Sequence, residues 1–190
     1  MPKSTRRFTR AAIVRALTRL GELCAVQDSR VEIAIYGGTV MMLAYDCRAA
    51  TKDIDAIFHP PEVVAPLLAQ VARELGLPED WMNDGVRNFA AVREERIPFA
   101  ELVIPGLIIT RPSPKYLLAM KCLAGRLPAP SRAGDVEDIK FLLRRLGLRS
   151  IGEVDAIVAD YYGARKLEGG KRWLVEKLLR ETHDEKKRPA

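Results

Sequence analysis

Two acids two residues apart, Asp53 and Asp55, lie in the run Asp53-Ile-Asp-Ala-Ile-Phe58, where acidic and apolar residues alternate. That alternation predicts a strand. Strand positions i and i+2 project from one face, with Ile54 and Ile57 expected to enter the core. Two neighbouring carboxylates repel each other, so the arrangement gains most from a cation that relieves them. Hard oxygen ligands at this spacing suit one or two Mg²⁺ or Mn²⁺ ions, with nucleotide phosphates completing the shell. A pair of solvated acids on an exposed strand face explains the spacing equally well.

Three further features could join that chemistry. Val31–Tyr36 reads as a buried strand stopped by Gly37-Gly38, and Thr39–Tyr45 reads as a short buried helix after it. Glycine lets backbone approach a ligand closely and amides at a helix start attract phosphate, although a plain tight turn is the commoner role of such a pair. Lys121 lies amid apolar residues in Met120–Arg126. It could reach phosphate as a point charge, with Arg126 about one turn further on, or it could simply snorkel at a helix edge. Asp135 and Asp138 are three apart and share a helix face, and Asp135 is equally suited to capping that helix. His59, between the acidic strand and two prolines, reads as a strand-end residue. Walker A, GxGxxG and nucleophile-elbow patterns are missing from the sequence.

Around these residues the pattern predicts a helix over 8–26 with Ile13, Leu17, Leu20 and Leu23 on one side, and a helix from Pro60-Pro61 to about Leu75, ending near Gly76. Trp81–Gly85 reads as a turn or short helix. Strands are expected near 91–93 and over 102–109, the second broken by Pro105-Gly106. Helices then follow from Pro114 to about Arg126, from Gly134 or Asp135 to Gly147, from a Ser150 cap to Tyr162, and from Lys171 to Arg180, with 127–134 a loop. The fold class expected is α+β, a small mixed sheet flanked by helices with a helical C-terminal half. The division expected is a core over 1–110, helices over 111–181 and a disordered tail over 182–190.

Taken in order, Ile35-Tyr-Gly-Gly-Thr39, Thr51-Lys-Asp-Ile-Asp-Ala56, Lys121-x-x-Ala124-x-Arg126 and Arg132-x-x-Asp135-x-x-Asp138-Ile resemble the DNA polymerase β-type nucleotidyltransferase superfamily. The likeness spans residues 30–163 and is nearest to the bacterial branch of AbiEii- and MenT-like toxin nucleotidyltransferases, with Trp81-Met-Asn-Asp84 and Pro114–Lys121 similar to an uncharacterised subfamily of it. The resemblance implies that Gly37, Gly38 and Thr39 hold a triphosphate and that Asp53 and Asp55 bind the metals. It further implies that Lys121 contacts phosphate with Arg126 beside it, and that Asp135 or Asp138 supplies a later carboxylate, Glu101 being an alternative. Gly134 stands where that pattern usually has Lys. The activity implied is metal-dependent transfer of a nucleoside monophosphate from an NTP to a hydroxyl of an RNA such as tRNA, of a protein or of a small molecule. A cognate antitoxin is the protein partner implied. The alternative is a non-catalytic member of the same fold that binds nucleotide or nucleic acid and acts through a protein partner.

Composition sets outer limits. The 190 residues are 48% hydrophobic and 29% charged, which excludes a disordered, collagenous or disulfide-stapled chain. The 31 Lys and Arg against 25 acids give +6, compatible with nucleotide or nucleic-acid partners. Basic residues crowd both ends (Lys3, Arg6, Arg7, Arg10, Arg15 and Arg19; Lys186, Lys187 and Arg188), and solubility is their plainer explanation. Cys24, Cys47 and Cys122 form no zinc pattern and suggest reduced thiols, hence a cytoplasmic setting. No apolar run approaches membrane-spanning length, and no signal peptide is expected.

Overall fold

The computed structural model describes residues 7–27, 29–124 and 133–187. The described residues form seven helices and one five-stranded mixed sheet, an α+β fold. The chain divides into two compact units, Met1–Asn88 with Arg96–Arg111, and Phe89–Glu95 with Pro112–Ala190. The last of the three crossings, at 111/112, lies one residue from the expected 110/111 division. Residues 89–95, assigned to the core by sequence, join the later unit.

In the first unit, helix α1 (Arg10–Val26) starts at Thr9, whose hydroxyl accepts from the Ala12 amide. Its buried stripe is Ile13, Ala16, Leu17, Leu20, Gly21 and Cys24. Cys24 takes the inward place expected for Leu23, because with 3.6 residues per turn alternating steps of four and three keep Ile13, Leu17, Leu20 and Cys24 on one stripe, whereas a second step of three turns Leu23 away from it. Strand β1 (Val31–Ile35) leads into α2 (Gly37–Leu43), which begins two residues earlier than expected. Strand β2 (Ile54–His59) precedes α3 (Pro61–Leu75), which opens with proline at its first turn and closes on left-handed Gly76.

The sheet runs β3-β2-β1-β5-β4, with β3 at Met82–Asn83, β4 at Arg96–Pro98 and β5 at Leu107–Pro112. β1 pairs antiparallel with β2 (Ile35 opposite Ala56) and parallel with β5 (Ala34 opposite Thr110). Ile33, Ile35, Ile54 and Ala56 are all fully buried. Ile57 is only half-buried: a period of two places it on the face of Asp55, which corrects its expected entry into the core with Ile54.

Three other expectations in this stretch change. Met82-Asn83 pairs with Ile54-Asp55 as a short parallel strand, and Gly85–Phe89 makes a 3-10 turn. Trp81 anchors that region, fully buried, with its indole N–H donating to the Leu68 carbonyl at 3.2 Å. The strand expected over 102–109 begins only at Leu107. Pro105 has no N–H to give, and a Cβ on Gly106 would strike the Gly21 carbonyl of α1, so this turn is shaped by helix–turn contact. No strand forms over 91–93.

In the second unit, residues 89–95 are held by tyrosines. Tyr116 Oη accepts from the Ala91 amide at 2.9 Å, Tyr162 Oη donates to the Phe89 carbonyl at 2.6 Å, and Tyr161 Oη donates to Glu95. Four helices follow: α4 (Pro114–Ala124), α5 (Ala133–Leu146), α6 (Ile151–Tyr162) and α7 (Gly169–Lys187). Ser150 and Glu153 build a reciprocal capping box on α6. Helix α5 already includes Gly134 and Asp135, so neither is its cap; most of the expected 127–134 loop lies outside the described residues. The tail expected to be disordered from Thr182 is helical through Lys187, with Thr182 buried and donating to the Leu179 carbonyl. Leu174, Val175, Leu178, Leu179 and Thr182 give α7 a buried stripe reaching its third and fourth turns, which carries the helix past the expected end at Arg180.

Candidate functional site

Five of the residues singled out by sequence meet in the first unit. The end of β1 delivers Tyr36, whose amide donates to the Asp55 carbonyl at 2.8 Å. Gly37 follows at φ +64°, a left-handed conformation that side chains disfavour. A Cβ there would also run into the Asp55 carboxylate, so this glycine is required twice over. At Gly38 a Cβ would lie 2.8 Å from Arg48 Nη1 and 2.9 Å from Thr51 Oγ1. The missing side chains therefore let the Asp55 carboxylate pack against Gly37, and Arg48 and Thr51 pack against Gly38. Helix α2 has only seven residues. Its dipole is correspondingly a small contributor, and close approach is the principal service of the glycines.

Asp53 lies just before β2, in a bend, while Asp55 is its second residue. The Asp53 carbonyl accepts from both Thr39 Oγ1 (3.3 Å) and Thr51 Oγ1 (3.2 Å). Thr39 is fully buried. The structure thus gives the Thr39 hydroxyl the work of fixing the Asp53 backbone. Both aspartates are half-buried, accessible enough to bind and shielded enough for their mutual repulsion to matter. Arg48, half-buried and packed against Gly38, is a cation of this cluster; in sequence it is a basic residue near the acid strand to which no motif assigns a role.

Arg10, one of the basic N-terminal residues, donates to the Leu43 and Met42 carbonyls at 2.7 and 3.3 Å. It caps the C-terminal end of α2, a structural use of a charge whose plainest explanation was solubility. His59 is exposed at the end of β2, as expected for a strand-end residue. Glu101 pairs with Arg111 Nη2 at 3.4 Å. Among the described residues no three His, Cys, Asp or Glu side chains gather as a metal-holding set.

Two carboxylates without a third still fit Mg²⁺. That ion is commonly held by one or two protein carboxylates, with water and substrate phosphate filling its octahedron.

The second unit brings together the other predicted residues. Lys121 of α4 lies 2.5 Å from Asp138 Oδ2 and 3.5 Å from Asp135 Oδ1, both on α5. The Lys121 side chain is 10% exposed and that of Asp138 only 1%, against 53% for Asp135. Lys121 and Asp138 are a buried ion pair that ties two helices together, and Asp135 is the member that meets solvent. Next to Lys121, burial pushes the Cys122 thiol up to about 12, partly offset by the lysine's charge. Arg126 lies outside the described residues.

In comparisons with known proteins, no family model matches this chain, and no curated protein or solved structure matches it either.

Proposed function

We propose that the protein is a metal-dependent nucleotidyltransferase that moves a nucleoside monophosphate from an NTP to a hydroxyl acceptor. The observation that carries this reading is the cluster in which Asp55 packs against Gly37, Arg48 and Thr51 pack against Gly38, and Thr39 and Thr51 hold the Asp53 carbonyl. Phosphoryl transfer asks for little covalent work from a protein and much positioning of charge. The cluster is suited to that work.

Asp53 and Asp55 would hold Mg²⁺ or Mn²⁺, which when bound supplies charge stabilisation at the phosphates and a lowered pKa for a coordinated hydroxyl. Gly37 and Gly38 let the Asp55 carboxylate and the Arg48 guanidinium lie close to the backbone, where a triphosphate would meet both. Arg48, beside Gly38, offsets negative charge that the aspartates alone would repel. Thr39 and Thr51 pin the Asp53 carbonyl, so the first aspartate is presented from a fixed backbone. An RNA such as tRNA, a protein or a small molecule serves as acceptor, and a toxin of an antitoxin-paired system acting in the cytoplasm is the biological setting proposed.

A second reading, a non-catalytic nucleotide-binding member of the same fold, is favoured by one observation: Lys121 is already neutralised by Asp138. Metal-dependent labelling with radioactive NTPs separates the two. Transfer that requires Mg²⁺ or Mn²⁺ and is lost in Asp53→Asn/Asp55→Asn supports the enzyme; nucleotide binding without transfer to any added acceptor or to the protein itself supports the binder.

A further inference from the structure

The loop 44–53 joins α2 to β2 and carries Arg48, Thr51 and Asp53. Residues 8–10, distant in sequence, fasten it at both ends. Where the loop leaves α2, the last carbonyls of the helix need donors. The Met41 carbonyl accepts from the Cys47 amide at 3.2 Å, and those of Met42 and Leu43 accept from Arg10 Nη2 at 3.3 and 2.7 Å. The chain then turns through Asp46 at φ +52°, a left-handed conformation that a residue other than glycine holds at a cost. Where the loop arrives at β2, Phe8 and Thr51 exchange two backbone hydrogen bonds. Phe8 N–H donates to the Thr51 carbonyl at 2.7 Å, and Thr51 N–H donates to the Phe8 carbonyl at 3.0 Å. Phe8, 3% exposed, anchors this bridge in the core.

The constraint passes from this bridge to the acids. Thr51 Oγ1 donates to the Asp53 carbonyl at 3.2 Å, and Thr51 packs with Arg48 against Gly38. A loop without regular structure would sample many backbone states if one end were released, and each state would present Asp53 and Arg48 differently. Held at both ends, the loop presents them in one arrangement. The base of the fastening is itself rigid: Arg10 is the first residue of α1, Thr9 caps that helix, and a stripe of buried side chains fixes the helix in the core.

We propose that Phe8 and Arg10 form a clamp that positions the metal and phosphate ligands of the first unit. Arg10 is then a positioning residue: it acts on Asp53 and Arg48 through the loop, not by touching substrate. The inference rests on the nucleotidyltransferase reading of the acid cluster. Groups that orient a metal ligand without binding the metal govern affinity strongly, by about 10–100-fold when they are removed. Arg10 is suited to that role because its two bonds hold the start of the loop, while the two bonds of Phe8 hold its end.

The test uses the full chain and compares wild type with Arg10→Ala, Arg10→Lys and Gly76→Ala. Gly76→Ala is the stability control, because it strains the first unit at φ +60° while its Cβ meets nothing within 4 Å. Two quantities are read well below each melting temperature. One is the dissociation constant of ATP, GTP, CTP and UTP, each with Mn²⁺; the other is hydrogen exchange at the Thr51 amide, which is bonded to Phe8 and not to Arg10. Arg10→Ala is expected to weaken the best-binding NTP about tenfold or more and to speed Thr51 exchange. Arg10→Lys should restore most of both, since one nitrogen of Arg10 makes both bonds and an ammonium can replace it. Gly76→Ala should lower the melting temperature and leave both readouts at their wild-type values. If Arg10 only caps α2, Arg10→Ala lowers the melting temperature with Thr51 exchange and NTP affinity unchanged, and that result overturns the clamp alone. Equal losses in Gly76→Ala overturn it too, by tracing the effect to general destabilisation. Wild type that binds no NTP with Mn²⁺ instead overturns the nucleotidyltransferase reading, and the clamp's function with it.

Discussion

The two charged clusters of this protein hold their charges under opposite conditions. In the first unit Asp53 and Asp55 are half-buried, with Asp55 packed against Gly37 and with Arg48 and Thr51 against Gly38. In the second unit Lys121 and Asp138 are shut away against each other at 2.5 Å, at 10% and 1% exposure. All four side chains were candidates for the same chemistry by sequence. Burial separates them: the acid pair of the first unit is exposed enough for a ligand to reach, while the buried ion pair is closed to one and ties two helices together.

The largest effect that would sharpen this contrast is in the acid pair. Asp53→Asn with Asp55→Asn should lower nucleotide transfer by roughly a thousandfold or more, the equivalent of about 4 kcal/mol of charge stabilisation. It should leave the ligand-free melting temperature equal or higher, because a like-charge repulsion is gone. Transfer at the wild-type rate would remove both residues from the chemistry.

Lys121→Ala should instead act on stability, by about 3–5 kcal/mol in urea unfolding, because Asp138 is left buried and unpaired. Lys121→Met with Asp138→Leu should return most of that loss. The comparison breaks if Lys121→Ala unfolds like wild type while transfer collapses, for then the lysine serves substrate and not the helix pair.

The glycines provide a smaller and more local test. Gly37→Ala and Gly76→Ala both place a side chain at φ near +60°, but only at Gly37 would the new Cβ meet another group, the Asp55 carboxylate. Each should cost about 1–3 kcal/mol of backbone strain. Only Gly37→Ala should also abolish the rise in melting temperature that Mg²⁺ with NTP is expected to produce. If that rise survives, the glycine is no more than a turn.

Thiol labelling reports the same contrast without mutating an acid. Cys47 is exposed, whereas Cys24 and Cys122 are buried and burial raises both thiols above their ordinary range. Alkylation of the native protein near pH 8 should modify Cys47 alone, and Cys122 should become reactive in Lys121→Ala as α4 and α5 loosen.

The smallest effect belongs to an exposed pair. The Arg19 guanidinium at 2.6 Å, helped by Gln70, holds the Glu74 carboxyl down at about 2. A lowered folded-state value means that the contribution is complete above the ordinary Glu range and fades as pH falls toward 2. The melting-temperature gap between wild type and Glu74→Gln should therefore be small at pH 6 and vanish near pH 2. A gap that widens on acidification would reverse the assignment.

Local pattern determined a great deal here. The 3.6-residue spacing of α1, the Ser150 cap with Glu153 three residues on, the proline start and glycine stop of α3, and the strand–Gly-Gly–helix run are all interactions between near neighbours in sequence. So is the alternation that makes β2 a strand, although it assigned Ile57 to the wrong face. Local pattern could not decide pairings over long separations. Met82-Asn83 is a strand only because Ile54-Asp55 lies beside it, residues 89–95 are held by tyrosines from helices further along the chain, and the turn at Pro105-Gly106 answers to Gly21 of α1. The same holds for chemistry. The types and order of Asp53, Asp55, Lys121, Asp135 and Asp138 were legible in the sequence. Their availability was not, because availability depends on desolvation, and desolvation is set by which distant helix or strand covers each charge.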